Sequence, residues 1–197
     1  MCIRDRPETE KSEHKEHRVL EELVLGKNAP IAAKVLMKIL YAARMARLDL
    51  LRAVNHLACF ITKCDQGCDL RLRRLVSYIY STLHLRQCGW IYCDEKPSDL
   101  ELHLYADADF GGCPTQKSTS GAFMCIRGKN SFFPINGASK RQGSVSHSTP
   151  EAEIVAADFA LRTMGLPAIL LWERLLSKKV ILHFHEDNQA MIKVMEK

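Results

Sequence analysis

The stretch "YADADFGG", residues 105–112, ends a run of alternating side chains. Successive side chains of a strand point to opposite faces, so the alternation predicts a β-strand over 101–109. One face of this strand carries polar and aromatic side chains, namely His103, Tyr105, Asp107 and Asp109, and the other carries Leu102, Leu104, Ala106 and Ala108. Gly111 and Gly112 follow, where the lack of a Cβ permits a close turn. The strand therefore presents two carboxylates at its carboxyl end, where open α/β sheets bind ligands.

The composition is that of a folded protein inside the cell. Of the 197 residues, 47% are hydrophobic, which suffices for a buried core and excludes disorder throughout. The net charge of +5 is compatible with a polyanionic partner, although many soluble proteins are as basic. No run of 18 apolar residues predicts a membrane span, and the N-terminus lacks the apolar core of a signal peptide.

Eight cysteines are scattered along the chain. A chain of this size does not need disulfides, so we expect free thiols. The alternative is a four-sulfur zinc site built from Cys64, Cys68, Cys88 and Cys93. Neither pair has the usual two-residue gap, which favours partly buried thiols over zinc.

The chain divides into three parts by pattern. Residues 1–17 are charged and poor in large apolar groups, which predicts a disordered or non-native tail. Residues 18–98 show helical periodicity, and after "EKPSD" the period changes from 3.6 to 2. We therefore expect a helical segment over 18–98 and a second domain over 99–197.

Two amphipathic helices are predicted in the helical segment, at about 45–62 and 69–85. Asp65 and Asp69 are both candidate N-caps between them. The second helix carries a basic face, which is either simply solvated or contacts phosphate; its residues are Arg71, Arg73 and Arg74.

The second domain is predicted to be a mixed α/β sheet. Further strands are expected over 119–127, 131–138 and 180–186. Pro134 indicates that the strand over 131–138 lies at an edge or is broken. A helix is expected from about Pro150, with an interruption at 165–167, and another helix follows the last strand.

Two acids at the start of the helix near Pro150 have different expected roles. Glu151 follows Ser148 at capping-box spacing, so it should reach back to its own helix end. Glu153 lies roughly 200° from Glu151 around the helix and close to apolar neighbours, with no cap to explain it.

A third acid, Asp187, follows the strand over 180–186. By local pattern it is an N-cap for the next helix, a role that Asn188 could fill equally well, or a ligand. Together, Asp107, Glu153 and Asp187 are carboxylates at the ends of successive elements, which one sheet can bring close together. Such a cluster repels itself unless cations fill it, and oxygen ligands favour Mg²⁺ or Mn²⁺ over zinc.

Three ordered motifs resemble the ribonuclease H domain of copia-type LTR retrotransposon polyproteins: "YADADFGGCPTQKSTSGAFMCIRG", "ASKRQGSVSHSTPEAEIVAAD" and "HEDNQAMI". The preceding "ARLDLLRAVNHLACFITKCDQGCDLRLRRLVSYIYSTLHLRQCGWIYC" is similar to the connection that joins the reverse transcriptase to that domain. The resemblance covers about 42–195. It implies a ribonuclease H-like mixed sheet with flanking helices, preceded by a helical connection segment.

The resemblance also implies the chemistry. Asp107, Glu153 and Asp187 match the family's metal-binding carboxylates, which hold two divalent cations (Mg²⁺ or Mn²⁺) about 4 Å apart and hydrolyse the RNA strand of an RNA–DNA hybrid. The expected partners are that hybrid and the reverse transcriptase of a retroelement polyprotein, in a cytoplasmic particle or the nucleus, with no membrane. Expected backbone contacts of the nucleic acid are Lys117, Lys140 and Arg141.

The resemblance also implies a truncated domain, and two alternative functions remain. The family's fold continues with another strand, another helix and a fourth acidic ligand, so the resemblance implies a domain that is C-terminally truncated at Lys197. One alternative is therefore a catalytically inactive remnant that serves as a nucleic-acid-binding or spacer module. Another is a different nuclease or transposase on the same fold, because a fold does not fix its substrate.

Overall fold

The computed structural model describes residues 25–112 and 116–196. The predicted tail 1–17, the first residues of the predicted helical segment (18–24) and Lys197 lie outside these ranges. Within them, the chain is an α/β protein with a four-stranded mixed sheet and flanking helices.

In the described part of the chain, three helices precede the sheet: α1 (Ala29–Ala46), α2 (Leu51–Ala58) and α3 (Gln66–Ser81). Asp65 caps α3, because its carboxylate accepts the backbone N–H of Cys68 at 2.6 Å. Asp69, the other predicted cap, is buried instead and accepts the backbone N–H of Asn28 at 3.2 Å, next to the start of α1. These carboxylates fix the beginnings of two neighbouring helices.

The predicted helix 45–62 is wrong in its bounds. The chain there forms a 3₁₀ turn at Leu48–Leu50, the short α2, and another 3₁₀ turn at Ile61–Lys63. The predicted helix 69–85 is α3, which begins three residues earlier and ends four earlier. α1 lies in the region predicted to be helical, but the sequence pattern did not identify it as a separate helix. The arginines of α3 are exposed, as expected of a solvated face.

The sheet consists of β1 (Glu101–Asp109), β2 (Thr119–Arg127), β3 (Phe132–Arg141) and β4 (Leu182–His185), in the order β3-β2-β1-β4. β1 pairs antiparallel with β2 and parallel with β4. The predicted bounds of β1 and β2 are confirmed, whereas β3 runs three residues further and β4 is shorter at both ends. Pro134 lies in the edge strand β3, at an irregularity in its pairing with β2, as its missing N–H requires.

One face of the sheet is covered by a helix that runs from Thr149 to Leu176. It comprises α4 (Thr149–Ala160), a π turn at Leu161–Gly165 and α5 (Leu166–Leu176). The expected interruption at 165–167 is therefore a change of hydrogen bonding and does not end the helix. This face contributes Leu102, Leu104 and Met124 to a core that the helix completes with Ala160, Met164 and Ala168.

By length and composition alone, the helix Thr149–Leu176 could cross a membrane, which is weak evidence because core helices of soluble proteins pass the same test. Its fully buried residues Ala152, Ala156 and Ala160 face the protein. The final helix, α6 (Gln189–Met195), contacts α4.

The opposite face of the sheet carries aromatic rings and meets the helical segment. His103 Nδ1 lies 2.8 Å from His185 Nε2, and the rings of His185 and Tyr105 stack at 4.3 Å. At the other side of this face, a Cβ on Gly137 would come within 3.2 Å of Leu48, so β3 packs closely against the 3₁₀ turn that precedes α2. The pKa values of His103 and His185 are lowered, chiefly by burial.

Candidate functional site

Asp107 lies near the carboxyl end of the central strand β1. Alternation places it on the face opposite the long helix, where it is exposed and lines an open groove of about 540 Å³ between the sheet and α2. Arg52, Gly121 and Ser139 line the same groove. The predicted face and accessibility of Asp107 are confirmed.

Asp109, the second acid of the same strand, has a cationic partner. The guanidinium of Arg52, on α2, contacts its carboxylate. The following turn keeps this carboxylate in place: Gly111 adopts a positive φ of 62°, and a Cβ on Gly112 would overlap the Asp109 side chain. Asp109 therefore has a local structural role.

Glu151 has the capping role that its spacing predicts. Its backbone N–H donates to the Ser148 hydroxyl at 3.3 Å, and its carboxylate accepts the backbone N–H of His147 at 2.7 Å. The carboxylate therefore points toward the helix end and away from the sheet.

Glu153 is buried, with only 4% of its surface exposed, where α4 crosses β1. The backbone N–H of Ala108 donates to its carboxylate, while Oε2 has no hydrogen-bond partner among the described residues. A buried carboxyl oxygen without a partner is costly, so it calls for a proton or a cation. Glu153 thus differs from Glu151 as the sequence predicted.

Gln142 fixes the start of α4 beneath this site. Its buried side-chain amide donates to Ala152 O at 2.9 Å and to Ser120 Oγ at 3.0 Å, and its Oε1 accepts a hydrogen bond from Ser146. These bonds join β2, the loop and the helix immediately before Glu153. The sequence analysis did not identify this role, and no local pattern distinguishes a buried glutamine from an exposed one.

Asp187 follows β4 and is exposed. Its interpretation as the N-cap of α6 is wrong, because Asn188 takes that role: Asn188 Oδ1 accepts the backbone N–H groups of Ala190 and Met191 at 3.1 and 3.0 Å. β4 runs parallel to β1, with Tyr105 opposite His185, so Asp187 follows at the level of Asp107. Its carboxylate is not used for capping.

Three neighbouring carboxylates act electrostatically on Glu153. Burial and, in decreasing order, the negative charges of Glu186, Asp107 and Asp187 together raise the pKa of Glu153 from 4.5 to about 7. Such coupling requires that these groups lie at the same end of the sheet. The sequence missed the strongest of the three neighbours, Glu186.

Glu186 is half-buried, and it shares with Glu153 an unpartnered carboxyl oxygen and a raised pKa. Its Oε2 is buried and has no hydrogen-bond partner within the described ranges, whereas its Oε1 accepts the backbone N–H of Asn188 at 3.1 Å. Burial raises the pKa of Glu186, and the charges of Asp187 and Asp107 add to this effect, while the backbone hydrogen bond from Asn188 opposes it. The signal in the sequence was the adjacent pair "ED" at 186–187.

The chemistry of this set suits a hard divalent cation. Carboxylate oxygens are the ligands that Mg²⁺ and Mn²⁺ prefer. Among the described residues, Glu153 and Glu186 each keep a buried Oε2 without a hydrogen-bond partner, while Asp107 and Asp187 are exposed. As the side chains stand, no group of three or more His, Cys, Asp or Glu residues within 25–112 and 116–196 is arranged to hold a metal ion. Cys64 and Cys68 are buried while Cys88 and Cys93 are exposed, so the alternative zinc cluster does not assemble either.

The predicted nucleic-acid contacts lie around the start of β2 and the end of β3. Lys117 contacts the carbonyl oxygen of Gly143, and the Lys140 ammonium lies 5.5 Å from the centre of the Phe159 ring. Lys140 and Arg141 are exposed at the end of β3. All three positions can present positive charge, although Lys117 and Lys140 also have local partners.

No protein-family model matches this chain. No solved structure is a significant match either.

Proposed function

We propose that this chain is a retroelement ribonuclease H, a metal-dependent endonuclease that hydrolyses the RNA strand of RNA–DNA hybrids during reverse transcription. One observation carries the proposal: the buried Glu153, with an unpartnered carboxyl oxygen, lies within electrostatic reach of Asp107 and Asp187 at one end of a mixed sheet. A capping role explains neither Glu153 nor Asp187, which leaves ligand binding as the simplest use of both.

Asp107, Glu153 and Asp187 would hold the divalent cations. When held there, Mg²⁺ or Mn²⁺ would supply the activation of a water molecule and the stabilisation of the leaving oxygen in phosphodiester hydrolysis. Asp107 is the accessible carboxylate in the groove, Glu153 approaches from the helix side, and Gln142 keeps the start of α4 in register. The chain itself thus supplies a negatively charged site that excludes water on the helix side and is open on the groove side.

The hybrid would contact the protein through its phosphates. Lys117, Lys140 and Arg141 supply positive charge near the ends of β2 and β3, and recognition of 2′-hydroxyl groups would give the preference for RNA. The proposal implies that the domain acts next to a reverse transcriptase, in a cytoplasmic retroelement particle or the nucleus.

A second candidate function is a catalytically inactive module that binds nucleic acid or acts as a spacer. It is favoured by the finding that, in the described part of the chain, no three acidic or other ligating side chains are arranged to hold an ion. In that case the basic residues would bind nucleic acid without cleavage.

Cleavage assays separate these candidates. The chain is incubated with an end-labelled RNA–DNA hybrid, double-stranded DNA and double-stranded RNA, each with Mg²⁺, with Mn²⁺ and with excess chelator. The proposed function predicts metal-dependent cleavage of the RNA strand of the hybrid alone. Binding of the hybrid without cleavage would support the inactive module, and cleavage of double-stranded DNA would support a different nuclease.

A further inference from the structure

The four carboxylates divide into two pairs across the sheet. Leu182 and Phe184 of β4 pack into the core beneath the long helix. Alternation continued past the strand end places Glu186 on that same side, and places Asp187 on the side of His183 and His185. Asp107 shares the side of Asp187. Glu153 and Glu186 therefore lie on the helix side, and Asp107 and Asp187 on the groove side.

Glu153 and Glu186, the pair on the helix side, differ from the capping residues Glu151 and Asn188 in having a buried oxygen that nothing in the described part of the chain hydrogen-bonds. Glu153 is only 4% exposed, and both Glu153 and Glu186 keep a buried Oε2 atom that no described residue hydrogen-bonds. Two such oxygens in one place are costly unless something positive lies between them. Arg127 and His183 lie on the opposite face, and the Lys140 ammonium on the helix side lies against the Phe159 ring. Among the described residues, neither Glu153 nor Glu186 takes part in a salt bridge, so no described side chain supplies that charge.

We propose that Glu186 is a fourth carboxylate ligand of the divalent-cation site, paired with Glu153 on the helix side of the sheet. The inference rests on the proposed function and deepens it, because it assigns the fourth acid to a residue within the chain. One of its oxygens stays on the Asn188 N–H, which fixes the carboxylate, and the other is left for the cation.

Direct Mn²⁺ binding tests this assignment without relying on activity. The loss of the free-Mn²⁺ signal in electron paramagnetic resonance gives the dissociation constant for the full chain, and competition with Mg²⁺ confirms the site. The test variant is Glu186→Gln. Its matched control is Glu196→Gln, which removes an exposed carboxylate at the end of α6 and changes the net charge by the same amount. Asp107→Asn and Glu153→Gln are measured in parallel, and metal-free melting temperatures show that each variant folds.

We expect Glu186→Gln to weaken Mn²⁺ binding at least tenfold, the lower limit for groups that support a metal site, while Glu196→Gln leaves it unchanged. Glu186→Asp, which keeps the charge on a shorter side chain, should recover part of the loss. Wild-type affinity in Glu186→Gln, together with weak binding in Asp107→Asn and Glu153→Gln, would overturn this inference and leave the proposed function standing. Failure of the wild-type chain to bind Mn²⁺ would overturn both.

Discussion

Arg52 and Asp109 join the helical segment to the end of the central strand. The Arg52 guanidinium contacts the Asp109 carboxylate, and both side chains remain partly exposed, at 45% and 44%. An exposed pair of this kind adds little to stability. Its consequence is chemical, because it engages one acid of "DAD" with a cation and leaves Asp107 facing the groove.

Asp107→Asn should abolish Mg²⁺-dependent cleavage of the hybrid, whereas Asp109→Asn should lower it far less. The first change removes a carboxylate of the proposed metal site and keeps the side-chain shape. The second removes the partner of Arg52. Cleavage rates are measured beside melting temperatures, which should stay close to wild type for both. Equal losses of cleavage from the two variants would show that Asp107 is not the distinct metal-binding acid of the strand.

Stability of the metal-free chain should fall with rising pH because of Glu153. Its pKa is about 7 in the folded chain against an ordinary value of 4.5, so the folded state binds the extra proton between these values. The stabilisation from that proton is complete below about pH 4.5 and is lost as the pH rises through 7. The difference between the two pKa values corresponds to roughly 3 kcal/mol.

Glu153→Gln isolates this effect from the histidines, whose lowered pKa values act in the opposite direction at acid pH. Urea unfolding of wild type and variant is compared at pH 4.5, 6 and 8 in the presence of chelator. We expect the variant to gain stability relative to wild type across this range. A constant difference between the two proteins would show that Glu153 is not buried as described.

Glu151→Ala should cost about 1 kcal/mol of stability and leave Mn²⁺ affinity unchanged. The substitution removes the carboxylate that accepts the His147 N–H and touches nothing at the sheet. Denaturant unfolding and Mn²⁺ titration of the same preparation give both quantities. A weakened metal affinity without a loss of stability would mean that Glu151, rather than Glu153, belongs to the site.

Substitutions at the adjacent residues Asp187 and Asn188 should affect different properties, namely cleavage activity and stability, respectively. Asn188→Ala removes the cap of α6 and should destabilise the protein by about 1 kcal/mol. Asp187→Asn removes a proposed ligand and should lower cleavage at least about a hundredfold, with little change in melting temperature. The hypothesis fails if Asp187→Asn cleaves like wild type, or if the two substitutions exchange effects.

The elements that could be predicted from the sequence are those with a strong local period. β1 and β2 alternate over nine residues and end at glycines or charges, so their bounds follow from pattern alone. α2 could not be bounded in this way, because two 3₁₀ turns continue its apolar spacing with different hydrogen bonds. α1 begins after Asn28, whose backbone N–H is bound by the distant Asp69.

Residues of the candidate site could be predicted where a capping role explained one of two nearby acids and left the other without a structural explanation. Ser148 at capping distance explained Glu151 and thereby singled out Glu153. The same reasoning failed to choose between Asp187 and Asn188, because adjacent Asp and Asn cap equally well by type. Glu186 was marked only by the acidic pair at 186–187, and its importance depends on which face of β4 the helix from residue 149 covers.

The π turn at Leu161–Gly165 determines which side of α5 faces the sheet. The buried positions Ala152, Ala156, Ala160, Met164 and Ala168 are each four residues apart. In a regular α-helix, positions four apart drift by about 40° per step, so Ala168 would lie about 160° from Ala152. The turn absorbs one surplus residue and reduces that drift to about 60°. Deleting one residue from 161–165 would therefore leave α5 in the same orientation on the sheet, with an uninterrupted α-helix in place of the turn.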